Sequence, residues 1–278
     1  MSSKVWFVTG ANSGIGASVV KAALASGDSV VATGRSMDKL RSAFADAENE
    51  RLALVQLDVT DRQQADRAID EAVARFGRID VLVNNAGNAV LGNFEDFTAA
   101  DFEKQLAPNL YGVINLMQAA LPVMRKQRRG HIINISSVAG GTGQNQTSAY
   151  SAAKFAVEGL SMSVAQEVEK FGIHLTIVEP GFFRTRLLDQ GSVSYVETRI
   201  EDYAGASARD TWSQYDGAQP GDPDKLGQAL VTIAAMDKPL KLFLAGSDAI
   251  AVLTPVVEER LKAIKDNEAL SRSTDNAL

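Results

Sequence analysis

The sequence predicts an α/β fold built on a single doubly wound parallel sheet with helices on both faces. Three observations lead there. Short continuous apolar runs recur without polar alternation, as in strands covered on both faces. Stretches of helical periodicity separate them, and that alternation is the pattern of successive βαβ units. Segments rich in Gly, Asn, Ser and Pro follow the runs, at the carboxyl ends of strands where such sheets bind ligands.

The first run is Val5 to Thr9, followed by a helical pattern from about Gly14 to Ser26 and a second run, Ser29 to Thr33. Leu52 to Leu57 is the third strand, with a helix from about Arg62 to Phe76 after it. Ile79 to Asn84 is the fourth, a long helix runs from about Pro108 to Gln127, and His131 to Ser136 is the fifth. A helix over 150 to 170, a strand over 173 to 178 and a last strand near Lys241 to Leu244 complete a seven-stranded sheet. The segments that stand out chemically then share one end of it: Gly10 to Gly16, Arg35, Asp58, Asn84 to Gly87, Ser137 and Pro180-Gly181. Residues 186 to 220 carry Tyr195, Tyr203, Trp212 and Tyr215 among polar and small residues, and are expected to form a mobile substrate lid, not a sheet element. The other reading is a surface excursion whose aromatics pack on the domain. One domain is expected over 1–267, with 268–278 a flexible polar tail.

Composition narrows the partners. The chain has 278 residues, 45% of them hydrophobic, and a net charge of -6, so it offers no bulk attraction to nucleic acid or an anionic membrane. The one basic run, Arg125, Lys126, Arg128 and Arg129, is short and lacks interleaved aromatics, which fits a solvated helix end. With 0 cysteines there are no disulfides, thiolate metal sites or cysteine nucleophiles. His131 and His174 have no carboxylate at ligand spacing, and structural roles with no metal are expected for both. The first apolar run is too short for a signal-peptide core, and no 18-residue apolar stretch occurs, so a cytoplasmic protein is expected.

Tyr150 and Lys154 carry the most chemical information. On a helix they share one face roughly 6 Å apart along the axis, and an ammonium there favours tyrosinate over a phenol that ordinarily ionises at about pH 10. Ser137 precedes them at the end of a strand. In Gly10-x-x-x-Gly14-x-Gly16 the glycines allow a tight turn, close approach of a phosphate to the backbone and close helix packing, with the helix N-terminus facing the anion. At the end of the second strand Gly34 stands where an acid would bind a ribose 2′-hydroxyl, and Arg35 follows with a guanidinium suited to a phosphate. NADP(H) is therefore expected over NAD(H).

The ordered set Thr9-Gly10-x-x-x-Gly14-Ile15-Gly16, Asp58-Val59, Asn84-Asn85-Ala86-Gly87, Asn109, Ser137, Tyr150-x-x-x-Lys154 and Pro180-Gly181 leading to Thr185 resembles the short-chain dehydrogenase/reductase family over roughly residues 4 to 250. The segment Pro180 to Thr185 and the C-terminal extension look like its 17β-hydroxysteroid-dehydrogenase-like branch. The resemblance implies a Rossmann-type domain and a hydride transfer between nicotinamide and a ketone or secondary alcohol. It implies Tyr150 as general acid/base, Ser137 on the substrate oxygen, Lys154 lowering the tyrosine pKa and holding the nicotinamide ribose, and Asn109 anchoring a relay water. For the cofactor it implies Gly10, Asn12, Ser13, Gly14, Ile15 and Gly16 in the loop, Arg35 and Ser36 at the 2′-position, Asp58 and Val59 at the adenine, Asn85, Ala86 and Gly87 behind its ribose, and Pro180, Gly181, Phe183 and Thr185 at the nicotinamide end. Asn84 could equally serve to tie strands, and Asp58 to cap a helix, although Asp61 is better placed for that. Helices 110–127 and 150–168, apolar around much of their circumference, point with the resemblance to a homodimer or homotetramer. Substrate specificity is expected from Gly141 to Ala149, the surroundings of Phe94 and the 186–220 segment. A dehydratase or epimerase on the same frame, or an NADPH-sensing binding protein, are the alternatives.

Overall fold

Continuous apolar stretches buried on both sides form the strands, and several of the helices between them start at side-chain caps. The computed structural model describes residues 3–47, 50–189, 192–205 and 207–276. In chain order the elements are β1 (Val5–Val8), α1 (Gly14–Ala25), β2 (Ser29–Gly34), α2 (Met37–Ala43), β3 (Leu52–Gln56), α3 (Arg62–Phe76), β4 (Val81–Asn84), β5 (Ala89–Leu91), α4 (Ala99–Leu106) and α5 (Gly112–Gln127). The second half contains β6 (Gly130–Ile135), α6 (Val138–Gly141), α7 (Ser148–Val168), β7 (Ile173–Pro180), β8 (Val193–Tyr195), α8 (Ala208–Ser213), α9 (Pro223–Ala235), β9 (Leu242–Ala245), α10 (Ser247–Asp266) and α11 (Glu268–Arg272).

Seven strands make one parallel sheet in the order β3-β2-β1-β4-β6-β7-β9. The order reverses between β1 and β4, which opens a crevice at their carboxyl ends. Two cores lie on opposite faces of the sheet. Trp6, Val8, Val30, Val83 and Ile133 pack with Val19, Val20 and Ala23 of α1 and Leu226, Leu230 and Ile233 of α9. Phe7, Val31, Leu82 and Ile132 pack with Ile69 of α3, Leu116 and Ala120 of α5 and Val157 of α7. Alternate residues of each strand therefore feed alternate cores, which is why the runs are apolar throughout. Asp61 caps α3 by accepting the Gln64 amide at 3.0 Å, and Thr98 and Asp101 form a reciprocal capping box on α4.

Three expectations need correction. The helix expected from Pro108 is preceded by α4 and joined to it by a π-helical turn, Ala107–Tyr111; Pro108 fits there because it has no N–H to lose. The 186–220 segment does contain a strand: β8 pairs in parallel with β5, Ala89 opposite Val193 and Leu91 opposite Tyr195. Positions 268–272 form the exposed helix α11 instead of a frayed tail. Residues 190, 191 and 206 of the expected insertion and 277 and 278 of the expected tail lie outside the described residues.

The basic run sits at the end of α5, where Arg129 pairs with Asp80 at 3.2 Å. His131, 5% exposed, shares a hydrogen bond with Thr176 Oγ1 at 2.7 Å. Burial, helped by His174 in register on β7, pushes its imidazole down to about 3. The fold therefore holds this ring neutral while the unfolded chain protonates it. Stability from His131 is full above the ordinary histidine value near 6.5 and drains away as pH falls towards 3. We expect thermal denaturation temperatures to fall more steeply between pH 6 and 4 in the wild type than in His131→Gln, the difference reaching on the order of 3 kcal/mol. Parallel curves would contradict it.

Candidate active site

The crevice at the switch point deepens into a cavity of about 620 Å³ lined from both halves of the sheet. Its floor is the turn after β1. Gly10 and Gly14 have φ of 62° and 55°, left-handed values that favour glycine. A Cβ on Gly10 would lie 2.9 Å from Ala86 Cα, and one on Gly14 would lie 3.1 Å from Thr185 Cβ. Asn85 fixes this turn from the neighbouring strand, donating to Thr9 O at 2.9 Å and Gly10 O at 3.2 Å. Ser13 precedes α1 without capping it, so no side chain shields the first amides of the helix from a bound anion. The bare glycine turn and the uncapped helix start fit the pyrophosphate of a dinucleotide.

Gly10, Asn12, Ser13, Gly14, Ile15, Arg35, Ser36, Asp58, Val59, Asn85, Ala86, Gly87, Asn109, Ser137, Tyr150, Lys154, Pro180, Gly181, Phe183 and Thr185 all line this one cavity. Gly16 does not. A Cβ there would be 2.5 Å from both Asn85 Nδ2 and Gly10 O, so its role is the close packing of α1 on β1. Asn84 also faces away, tying β4 to β6 through Asn134 Oδ1 at 2.8 Å. Asp58 lines the cavity, its carboxylate taking the Thr60 amide at 3.0 Å, while Asp61 does the capping. Beside Arg35 the wall includes Lys39, which sequence reasoning passed over. The signal was present: Ser36 caps α2 by accepting the Lys39 amide at 3.3 Å, which sets Lys39 one turn into the helix beside the cavity.

Three consecutive residues leaving β6 meet one face of α7. The Ser137 hydroxyl lies beside the Tyr150 phenol, close enough to favour its anion. Lys154 Nζ donates to Ile135 O at 2.9 Å, and Ser136 Oγ donates to Glu158 Oε1 at 2.6 Å. The two serines thus point to different partners, as strand alternation requires. Burial pushes the Tyr150 phenol up to about 12, with the Ser137 hydroxyl pulling the other way. The expected lowering by Lys154 is not seen in this arrangement, because the ammonium turns to the Ile135 carbonyl and lies 5.6 Å from the phenol ring centroid. Burial brings Lys154 itself down to about 8, opposed by the negative charge of Glu158.

Asn109 hangs from the π-helical turn, its Nδ2 donating to Asn88 O, Asn88 Oδ1 and Gln105 O at 3.1, 2.6 and 2.8 Å. Its Oδ1 is buried without a partner, and a Cβ on Gly87 would approach it to 2.5 Å. The outer part of the cavity is formed by Gln144, Thr147, Phe182, Leu187, Leu188 and Trp212. Phe182 stacks on Trp212 with ring centroids 6.3 Å apart, and Tyr195 packs in the same cluster. The 186–220 segment therefore both packs on the domain and walls the cavity. Phe94, expected near the substrate, is 68% exposed, packs edge-on against Phe102 and is absent from the wall. Among the described residues no helix is long and apolar enough to cross a membrane.

Comparison with known proteins agrees with this geometry. The family model for short chain dehydrogenase matches residues 4–193. The chain is 40% identical over 250 residues to the oxidoreductase BOA17 of Botryotinia fuckeliana, covering 89% of this chain and 90% of that protein. A short-chain dehydrogenase from Streptomyces avermitilis superposes with a TM-score of 0.89 at 38% identity, covering 99% of this chain and 100% of that one. A serine dehydrogenase complexed with NADP+ has a TM-score of 0.73 at 26% identity over 86% of this chain and 93% of that one. A Burkholderia phymatum short-chain dehydrogenase/reductase in complex with NAD shares the fold, with a TM-score of 0.77 at 20% identity over 100% and 98% of the two chains. With the family model and a 40% identical relative running through the glycine turn, the serine and the tyrosine–lysine pair, this chain belongs to the short-chain dehydrogenase/reductase family of oxidoreductases.

Proposed function

We propose that the protein is an NADP(H)-dependent carbonyl reductase or secondary-alcohol dehydrogenase acting on a fairly apolar substrate. The observation that carries this reading is the convergence of Ser137, Tyr150 and Lys154 on a cavity that also holds the bare glycine turn. When bound, the nicotinamide supplies or accepts the hydride, and the protein supplies alignment and polarisation. Tyr150 gives its proton to the carbonyl oxygen in reduction and takes one from the alcohol in oxidation. A phenol held up at about 12 is fully protonated at neutral pH, which suits the donating role. Ser137 donates to the same oxygen as charge develops there. Lys154 holds the nicotinamide ribose and opposes the charge left on the phenolate, and Asn109 anchors a water that returns protons from solvent.

Two cations at one end of the cavity, Arg35 and Lys39, support NADP(H), with Gly34 in place of an acid. The aromatic wall of Phe182 and Trp212 supports an apolar substrate, and the likeness of residues 180 to 185 to the hydroxysteroid branch puts steroid ketones among the candidates. The test is oxidation of NADPH, with NADH in parallel, against aryl, aliphatic, diketone and steroid ketones, with Tyr150→Phe as control. Turnover that survives in the variant would overturn the mechanism. A product with no net redox change would favour a dehydratase or epimerase.

A homodimer or homotetramer in the cytoplasm completes the proposal. On α7, Phe155 and Met162 are 45% and 57% exposed at a spacing of two turns, beside exposed Ala152 and Gly159. Such an apolar stripe on a helix already packed on its other side suits a second copy. Gel filtration is expected to give a dimer or tetramer mass, and a monomer mass across a broad concentration range would refute it.

A further inference from the structure

Tyr150 and Lys154 do not exhaust the chemistry of their helix face. One turn beyond Lys154 stands Glu158, half-buried, with Oε1 accepting from the Ser136 hydroxyl at 2.6 Å. Facing it from β7 is Glu179, 4% exposed, one residue before Pro180. The two carboxyl groups are hydrogen-bonded to each other. The turn of α6 lies over them without side chains: a Cβ on Gly140 would collide with the Glu158 carboxyl and the Ser136 hydroxyl, and one on Gly141 would come within 3.1 Å of Glu179 Oε1. Two acids in contact cannot both ionise at low cost in a half-dry setting, so the arrangement holds one proton and one negative charge. Burial raises both groups; Glu158 raises Glu179 further, while the Ser136 hydroxyl, the hydrogen bond to Glu179 and the Lys154 charge pull Glu158 down, so the proton resides mainly on Glu179.

Among the described residues the surroundings leave that charge one cationic partner. The same helix brings Lys154, whose charge acts on Glu158. The end of β6 and α6 bring hydroxyls, amides and carbonyls but no ionisable side chain. From α10 come Leu253, against Gly141, and Asp248, whose carboxylate is engaged by the Phe182 amide at 2.6 Å. Glu179 is the remaining acid. Of the charged side chains here only Lys154 lines the catalytic cavity beside Tyr150; Glu158, Glu179 and Asp248 are absent from its wall.

We propose that Glu158 and Glu179 act as a pair of positioning residues, sharing one proton and presenting a single negative charge behind Lys154 that keeps the lysine protonated while it serves Tyr150. The inference rests on the reductase reading above for its kinetic consequence, but the shared proton itself does not. Glu158→Gln leaves any negative charge on Glu179, and the carboxylate that acts on Lys154 is that of Glu158; the buried ammonium is then unopposed, so Lys154 and the phenol both lose their protons at lower pH. Ketone reduction needs both protons in place. The alkaline limb of its pH profile must therefore move down in Glu158→Gln, by about one pH unit for a unit charge one helical turn away. Glu179→Gln replaces the shared proton with an amide donor and keeps the charge, so the limb should stay within roughly a third of a unit of wild type near its midpoint.

The experiment measures kcat and kcat/KM for ketone reduction from pH 6 to 10 in wild type, Glu158→Gln and Glu179→Gln, alongside infrared spectra of the proteins without substrate. The expected spectrum of wild type at pH 7 contains the carbonyl stretch of a protonated carboxylic acid. That band should vanish in Glu179→Gln and fade as wild type is titrated through about pH 8. A wild type without the band at pH 7 overturns the shared proton, whatever the enzyme reduces. A Glu158→Gln variant that loses rate equally at all pH values, with the limb unmoved, overturns the tuning role. If Glu158→Gln does not fold, Ser136→Ala serves instead, since it frees the carboxylate without removing charge. It should move the limb downward by less than half a unit, and an unmoved limb would count against the proposal.

Discussion

Tyr150→Phe is expected to lower ketone reduction on the order of 10³-fold while NADPH binding changes less than about threefold. The two halves of that expectation come from different parts of the cavity. The phenol is the acidic proton donor beside Ser137, and Phe keeps the ring that packs with Phe182 and the β5–β8 pair. The dinucleotide cradle is held by Asn85, Thr9 and the glycine turn, none of which touches the phenolic oxygen. Stopped-flow or steady-state rates give the first quantity, and quenching of protein fluorescence by NADPH gives the second. The wild-type profile for reduction should be flat to about pH 8 and then fall, because Lys154 loses its charge there, well before a phenol held near 12. A fall beginning only above pH 10 would mean that Lys154 is not the controlling group.

The site was legible in the sequence to the extent that its residues lie in contiguous motifs. Gly10 to Ile15, Asn85 to Gly87 and Ser137 each follow a strand, a doubly wound sheet brings the ends of its strands together, and Tyr150 and Lys154 share one face of α7 beside them. The seven main strands were legible for the same physical reason: a strand buried on both faces is an unbroken apolar run. What escaped depended on tertiary partners. β5 and β8 are three residues each, and their pairing joins positions more than a hundred residues apart, so neither carries a period long enough to see. The π-helical turn at Asn109 rests on a backbone bond, the Gly112 N–H to Ala107 O, which composition does not announce. Lys154 shows a limit of motif reasoning, since helical spacing places it beside Tyr150 but cannot foretell that its ammonium turns to Ile135. Glu158 and Glu179 likewise read as ordinary acids until β7 and α7 set them face to face.

Replacing Arg35 and Lys39 together by Ala is expected to raise the dissociation constant of NADPH on the order of 10²-fold and leave that of NADH within about threefold. A hydrogen bond to a charged group contributes about 1.5–3 kcal/mol, and each 1.4 kcal/mol is tenfold in affinity. Exposure reduces what each cation adds, so two of them together give about 10² and not more. Both side chains are exposed at the cavity edge, on either side of the Ser36 cap, and neither has a carboxylate partner in the structure among the described residues. Their charges are therefore available to a 2′-phosphate and useless to a 2′-hydroxyl. The complementary change is Gly34→Asp. Gly34 has ordinary backbone geometry, and a Cβ there would meet Asn12 Oδ1 at 3.2 Å and Leu40 Cδ2 at 3.5 Å, so a side chain needs only a small adjustment of Asn12. In the Arg35→Ala, Lys39→Ala background the new carboxylate should accept the ribose 2′-hydroxyl of NADH and repel the phosphate of NADPH, reversing the preference. Titration of each cofactor by fluorescence decides the matter without a substrate in hand. Equal wild-type affinities for NADPH and NADH, or a double variant that weakens both to the same degree, would remove the basis for NADP(H) selection by these two cations.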